Sequence, residues 1–126
     1  FKNTPNIGDI PPVVDIEEIG DLGSRKLKKE LTNFLVLVRK NYHTEPIIYA
    51  HQRFYNTYLR GQFSKYKIWI ARHHGIKEAP ENNKMKNEPF LIDGRCPLIW
   101  QYSGTGIING ISGNVDLNIT KEVIWD

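Results

Sequence analysis

Short apolar runs separated by one long amphipathic stretch constrain this chain more than any other feature. Ile10 to Glu17 (IPPVVDIE), Ile47 to Ala50 (IIYA), Lys67 to Ala71 (KIWIA) and Pro97 to Tyr102 (PLIWQY) are rich in β-branched and aromatic residues, the composition of buried strands. Prolines lead into the first of them, where a strand tolerates them. From Ser24, read as an N-cap, to about Tyr42, the apolar positions Leu27, Leu31, Phe34, Leu35 and Val38 recur at three- and four-residue steps, the mark of an amphipathic helix. His43 to Pro46 (HTEP) breaks that pattern, and Arg53 to Leu59 reads as a short helix stopped by Gly61. The order is βαβαβ. Uninterrupted apolar strands predict a parallel sheet covered by helices, hence an α/β fold. Arg72 to Cys96 is polar, rich in Pro, Asn and Lys and without periodicity, and is read as an active-site loop or a partly disordered segment. The closing GTGIINGISGNVDLN alternates turn glycines with apolar pieces, predicting a hairpin or two short strands ending on Val115 to Asn118.

Length and composition narrow this further. A chain of 126 residues, 40% of them hydrophobic, is one domain over residues 1–126. Seventeen Lys and Arg against 14 Asp and Glu give 17 − 14 = +3, too mild and scattered for a nucleic-acid partner. The cluster Arg25 to Lys29 (RKLKK) sits at helical spacing around Leu27 and reads as a solvated helix face. The single cysteine, Cys96, has no partner for an internal disulfide. Membrane insertion is not expected, because no apolar run reaches the ~18 residues of a span. The opening FKNTPNIGD has neither an initiator methionine nor a processing site, and is read as a cut within a longer protein.

Acids interrupt the apolar strands at two places. Residues two apart on a strand share a face and lie roughly 6.6 Å apart, so Asp15 and Glu17 are neighbours on one side while Val14 and Ile16 point to the other. Two carboxyl groups this close repel, and at least one is expected to hold its proton to higher pH than a free acid. A general acid working near neutrality needs that property, and glycoside hydrolysis uses such a pair. Two alternatives stay open: the acids simply end the strand at the surface, or they hold Mg²⁺ with a third carboxylate. Asp116 and Asn118 share a face in VDLN, where Asp116 is either a third site acid or a turn residue. Tyr49, Trp69, Trp100 and Tyr102 lie near the same strand ends, where flat apolar faces suit sugar rings or simply fill a core. His73-His74 offers no third ligand at metal spacing, and Ser103, Ser112 and Cys96 lack a base for a nucleophile triad. No cofactor or metal is read.

Together PPVVDIE, PIIYAHQRFYNTYL, KIWIARH and PLIWQYSGTGIINGISGNVDLN resemble the glycoside hydrolase family 25 lysozymes, the Chalaropsis-type N-acetylmuramidases, over about Asp9 to Asn118. The resemblance implies a flattened (β/α) barrel and hydrolysis of the β-1,4 bond from N-acetylmuramic acid to N-acetylglucosamine in peptidoglycan, in a secreted or cell-envelope protein. Carried over residue by residue, it makes Glu17 the proton donor of the D-x-E motif and Asp15 the acid beside it. Asp116 matches the acid near the last strand, Tyr49 the tyrosine lining the cleft. Trp69, Arg72, Gln101 and Tyr102 fall in segments implied to contact substrate. The family's opening strand, of the type G-I-D-V-S with a further acid, has no counterpart here. A closed barrel takes roughly 200 residues or more, so the chain is expected to be strands four to eight of an incomplete barrel. That expectation adds pairing with an N-terminal segment or another chain, and a second reading of these residues as a non-catalytic glycan-binding or assembly fragment.

Overall fold

The computed structural model describes residues 8–73 and 88–120. Five strands form one sheet in the order β1-β2-β3-β4-β5: β1 Val13–Asp15, β2 Ile47–His51, β3 Ile68–Ala71, β4 Ile99–Gly106 and β5 Val115–Thr120. The first four are parallel, and β5 returns antiparallel to β4. The α/β fold expected from the strand pattern is present. Among the described residues β1 and β5 are the edge strands and the sheet does not close on itself.

β1 is shorter than Ile10 to Glu17. Pro11 and Pro12 have no N–H to give a ladder, and the strand begins at Val13. Its pairing with β2 still extends at both ends, since Ile47 N–H donates to Pro12 O (2.8 Å) and Ile16 N–H to Tyr49 O (3.0 Å). Helix α1 spans Ser24–Tyr42 as its periodicity predicts, and buries Leu27, Leu31, Leu35 and Val38. Phe34, expected on the same stripe, is 46% exposed, because it lies at the margin of the arc that reaches the sheet. Ser24 is the first helical residue, not the cap: Gly23 holds that position and no side chain caps the helix. The helix stops where HTEP begins, with His43 in the left-handed region (φ 56°) and its N–H bonded to Arg39 O. A second helical segment, α2, covers Gln52–Phe54 and continues as a π-helical turn over Tyr55–Leu59, ending before Gly61 at φ 75°.

The main core lies between the sheet and these helices. Val14, Ile48, Ala50, Ile68 and Ile70 from the strands meet Leu31 and Leu35 of α1 and Tyr55 and Leu59 of the π turn. Ile16 packs against this layer as strand alternation requires.

Of the loop Arg72 to Cys96, residues 74–87, including His74, lie outside the described residues. From Glu88 onward the chain is pinned to α2 and the π turn. Phe90 N–H donates to Gln52 Oε1 (2.7 Å), Ile92 N–H to Asn56 Oδ1 (2.9 Å) and Asn56 Nδ2 to Phe90 O (2.9 Å). Below them Asp93 receives the Tyr55 hydroxyl (2.5 Å) and the Gly61 N–H (3.0 Å), while Arg95 donates to Phe63 O (3.1 Å) and Tyr66 O. Residues 88–95 thus exchange lost secondary-structure bonds for side-chain ones. β4 is longer than PLIWQY and runs on through Ser103 to Gly106, with register shifts between Gln101 and Ser103 and between Ser103 and Gly106. The predicted hairpin is therefore β4 and β5 joined across residues 107–114.

Candidate active site

Alternation on the strands turns one set of side chains to the helices and the other to the opposite face. On that second face Val13, Asp15, Tyr49, Trp69, Gln101, Asp116 and Asn118, joined by Glu17 just beyond β1, line a cleft of about 440 Å³. Strand register explains the assembly. Asp15 pairs with Tyr49, Tyr49 with Trp69, and Gln101 with Asn118, and laterally paired residues share a face. β5 is antiparallel, so Asp116 near its start meets the carboxyl ends of the parallel strands.

The walls of the cleft are cross-braced. Trp69 Nε1 donates to Asn118 Oδ1 (2.8 Å), the Tyr49 hydroxyl donates to Gln101 Oε1 (3.0 Å), and His73 Nε2 lies 2.7 Å from the same oxygen. The Tyr49 and Trp69 rings meet edge to face at 5.4 Å, leaving the indole and phenol as a partly apolar wall. Glu17 Oε1 lies 3.3 Å from His51 Nε2, both side chains about half exposed.

The electrostatics follow from the crowding of acids. The Asp15 carboxyl is raised above its ordinary range, first by the cleft wall, which removes water although the side chain keeps solvent access, then by the Glu17 charge, with His51 opposing. The acid-pair argument from sequence therefore bears on Asp15. Tyr49 is also raised, by burial first and then by Glu17, Asp15 and Asp116, with the Gln101 bond pulling the other way. Its phenol stays protonated and available as a donor. Chemically the site offers three carboxylates around a space bounded by aromatic rings and two amides, Gln101 and Asn118.

Two of the residues read as substrate contacts are elsewhere. Arg72 alternates away from Trp69 and Ala71; its Nη1 donates to Glu88 O (2.7 Å) and its backbone N–H to Gln101 O (3.0 Å). Tyr102 is buried, 3% exposed, with its ring 6.0 Å from Trp100. In both cases a period of two puts the neighbour of a cleft residue on the helix side. Trp100 is likewise buried, its Nε1 donating to Arg72 O (2.9 Å). A larger groove, about 620 Å³, runs along the polar side of α1 beside Arg25, Lys28 and Lys29, the stretch read as a solvated face, and carries no acid.

The family model for glycosyl hydrolases family 25 matches residues 2–111. The chain belongs to that family. It is 38% identical to the YegX protein of Escherichia coli K12 over 112 residues, covering 89% of this chain and 37% of that protein. Among solved structures it is similar to a family 25 glycosyl hydrolase from Bacillus anthracis, with TM-score 0.70 and 27% identity over 90% of this chain and 50% of that one. It also shares the fold of a bacterial lysozyme from Streptomyces coelicolor, at TM-score 0.71 and 23% identity over 90% of this chain and 52% of the other. This family 25 chain thus spans about half of those solved chains and a little over a third of the E. coli relative.

Sequence reasoning missed His51 altogether and weighed His73 only as a metal ligand. Both were legible in principle: His51 is two residues beyond Tyr49 on β2, and His73 is two beyond Ala71, whose register partner is Gln101. Among the described residues no group of three His, Cys, Asp or Glu is arranged to hold a metal ion.

Proposed function

We propose that the whole protein is a peptidoglycan hydrolase, an N-acetylmuramidase that cleaves the β-1,4 bond between N-acetylmuramic acid and N-acetylglucosamine. One observation carries this reading: in a family 25 chain, Asp15, Glu17 and Asp116 converge on one cleft walled by Tyr49, Trp69 and Gln101. In the proposed mechanism Glu17 protonates the glycosidic oxygen as its bond to the anomeric carbon breaks; a water molecule supplies the hydroxyl that ends on that carbon, and its released proton restores Glu17. Asp15 and Asp116 hold the positive charge that develops on the sugar ring. The indole of Trp69 and the ring of Tyr49 offer apolar faces to the pyranose. Working on the wall, the protein would be secreted or held in the cell envelope.

The activity is assigned to the whole protein and not to these 126 residues. The cleft lies on an open sheet, and the chain covers about half of the solved relatives. In this reading β1 to β5 are strands four to eight of a barrel whose remaining wall faces Asp15 and Asp116. An acid works only when neighbouring elements hold it to within about half an ångström of its working position. Residues 1–126 purified alone, and folded by circular dichroism, are therefore expected to release no reducing sugar from bacterial walls. Clear turnover by them, abolished by Glu17→Gln, would overturn the assignment to the larger protein. In the non-catalytic reading, these residues by themselves would bind glycan or assemble with another chain without cleaving it.

A further inference from the structure

Gln101 is only 5% exposed, yet it lines the cleft, and its carbonyl oxygen is shared by two groups. The Tyr49 hydroxyl lies 3.0 Å and His73 Nε2 2.7 Å from Oε1. A side-chain amide can be turned either way, and its network decides which. Turned over, Gln101 would aim its carbonyl dipole at a cleft that holds Asp15, Glu17 and Asp116, and Tyr49 would lose the acceptor for its proton. The orientation in which Oε1 accepts from both Tyr49 and the Nε2–H tautomer of His73 avoids both penalties. With Oε1 committed, the amide nitrogen is what Gln101 has left to offer the cleft.

The seat of His73 is itself shaped for this. A methyl group on Gly104 would lie 3.0 Å from His73 Cε1, 3.3 Å from Nδ1 and 3.5 Å from Asp116 Oδ1. Glycine at 104 leaves the imidazole room to stand against Gln101.

We infer that His73 is a positioning residue that locks the Gln101 amide with its N–H groups toward the cleft, making Gln101 a donor that selects a substrate acceptor, the carbonyl oxygen of a sugar acetamido group. This rests on the muramidase reading for its substrate. Each sugar of that polymer carries an acetamido carbonyl, a stronger acceptor than its hydroxyl or ether oxygens. A free amine at the same carbon lacks the carbonyl oxygen altogether, so the Gln101 donor loses its acetamido acceptor there. The site therefore discriminates N-acetylated from N-deacetylated glycan.

The test compares the whole protein and its His73→Phe variant on bacterial walls before and after N-deacetylation. Wild type is expected to prefer the acetylated wall by about tenfold in kcat/KM, the scale of one hydrogen bond. His73→Phe keeps a ring but no donor, so its preference should fall to about threefold or less. Gly104→Ala, which crowds the imidazole without removing it, should lower the preference in the same direction. An unchanged preference in folded His73→Phe overturns the inference and leaves the muramidase reading standing. If neither wall is cleaved, that reading fails, and the side-chain amide resonance of Gln101 decides the inference independently. It should shift on titration with an N-acetylglucosamine oligosaccharide and stay put with the glucosamine oligosaccharide. Equal shifts with both, or none with either, overturn it.

Discussion

Asp93 sits in a turn of the 88–98 connection and Asp15 at the end of β1, and the molecule treats the two aspartates oppositely. Around Asp93, burial works against the charge, but the Tyr55 hydroxyl, the Gly61 and Arg95 backbone N–H groups and the Arg95 guanidinium outweigh it and hold the carboxyl below its ordinary range. Around Asp15, burial and Glu17 push the same way, upward, and only His51 opposes them. The first region spends its donors on satisfying a carboxylate and so fixes a loop. The second gathers three carboxylates with the His51 imidazole beside Glu17, and that excess of acid is available to a substrate.

The hardest test of this contrast is the change expected to cost most. Glu17→Gln in the whole protein keeps the shape and removes the transferable proton, so turnover on peptidoglycan should fall by ~10² to 10⁴. Its melting temperature should hardly move. Wall clearance at wild-type speed by the folded variant would sink the role given to Glu17.

The mirror-image change is Asp93→Ala, which should leave the cleft chemistry alone and cost stability. It removes the acceptor for the proton of the buried Tyr55 hydroxyl, which keeps only the Arg95 Nη1 donor at 3.3 Å, and a loss of about 1–3 kcal/mol is expected from urea denaturation. A cost near zero would mean that the 88–96 segment is held by its other bonds to Gln52 and Asn56.

Acid sharpens the same point without mutation. Because the Asp93 carboxyl is lowered by folding, its contribution is complete above the unfolded value near 3.8 and lost as pH falls through the lower folded one. Wild type should therefore show an acid-unfolding limb that begins below about pH 3.8 and is shallower in Asp93→Asn. Equal limbs would remove Asp93 from the account.

Asp15 gives the smallest effect, with the opposite sign. Its folded carboxyl is raised, so the stabilising form is the protonated one, present in full below the unfolded value and lost as pH rises through the folded one. Asp15→Asn should therefore be slightly more stable than wild type at neutral pH, with the gain vanishing toward pH 3. The side chain is exposed, so solvent screening keeps the gain small. A destabilised Asp15→Asn at pH 7 would show that Asp15 is held by the fold rather than tolerated by it.

Period and composition determined much of this molecule. Leu27, Leu31, Leu35 and Val38 delimit α1 because a helix must bury one stripe. Val14 and Asp15 fall on opposite faces of β1 because a strand has no other choice. The D-x-E pair, Tyr49, Trp69, Gln101 and Asp116 were likewise readable, since each sits on an alternate position of a strand that the pattern had already identified. What the pattern could not reach depends on residues far apart in sequence. A period of two already puts Gln101 and Tyr102 on opposite faces, and the pairing of β4 with β3, Ala71 beside Gln101, decides that Gln101 takes the cleft. His51 acquires meaning only when β2 brings it to Glu17, and His73 only when β3 and β4 bring it to Gln101. Asp93 is lowered and Asp15 raised by partners that lie between 2 and 38 residues away. Local spacing fixes which way a side chain points, whereas its charge and its hydrogen bonds are set by whatever the tertiary fold packs beside it.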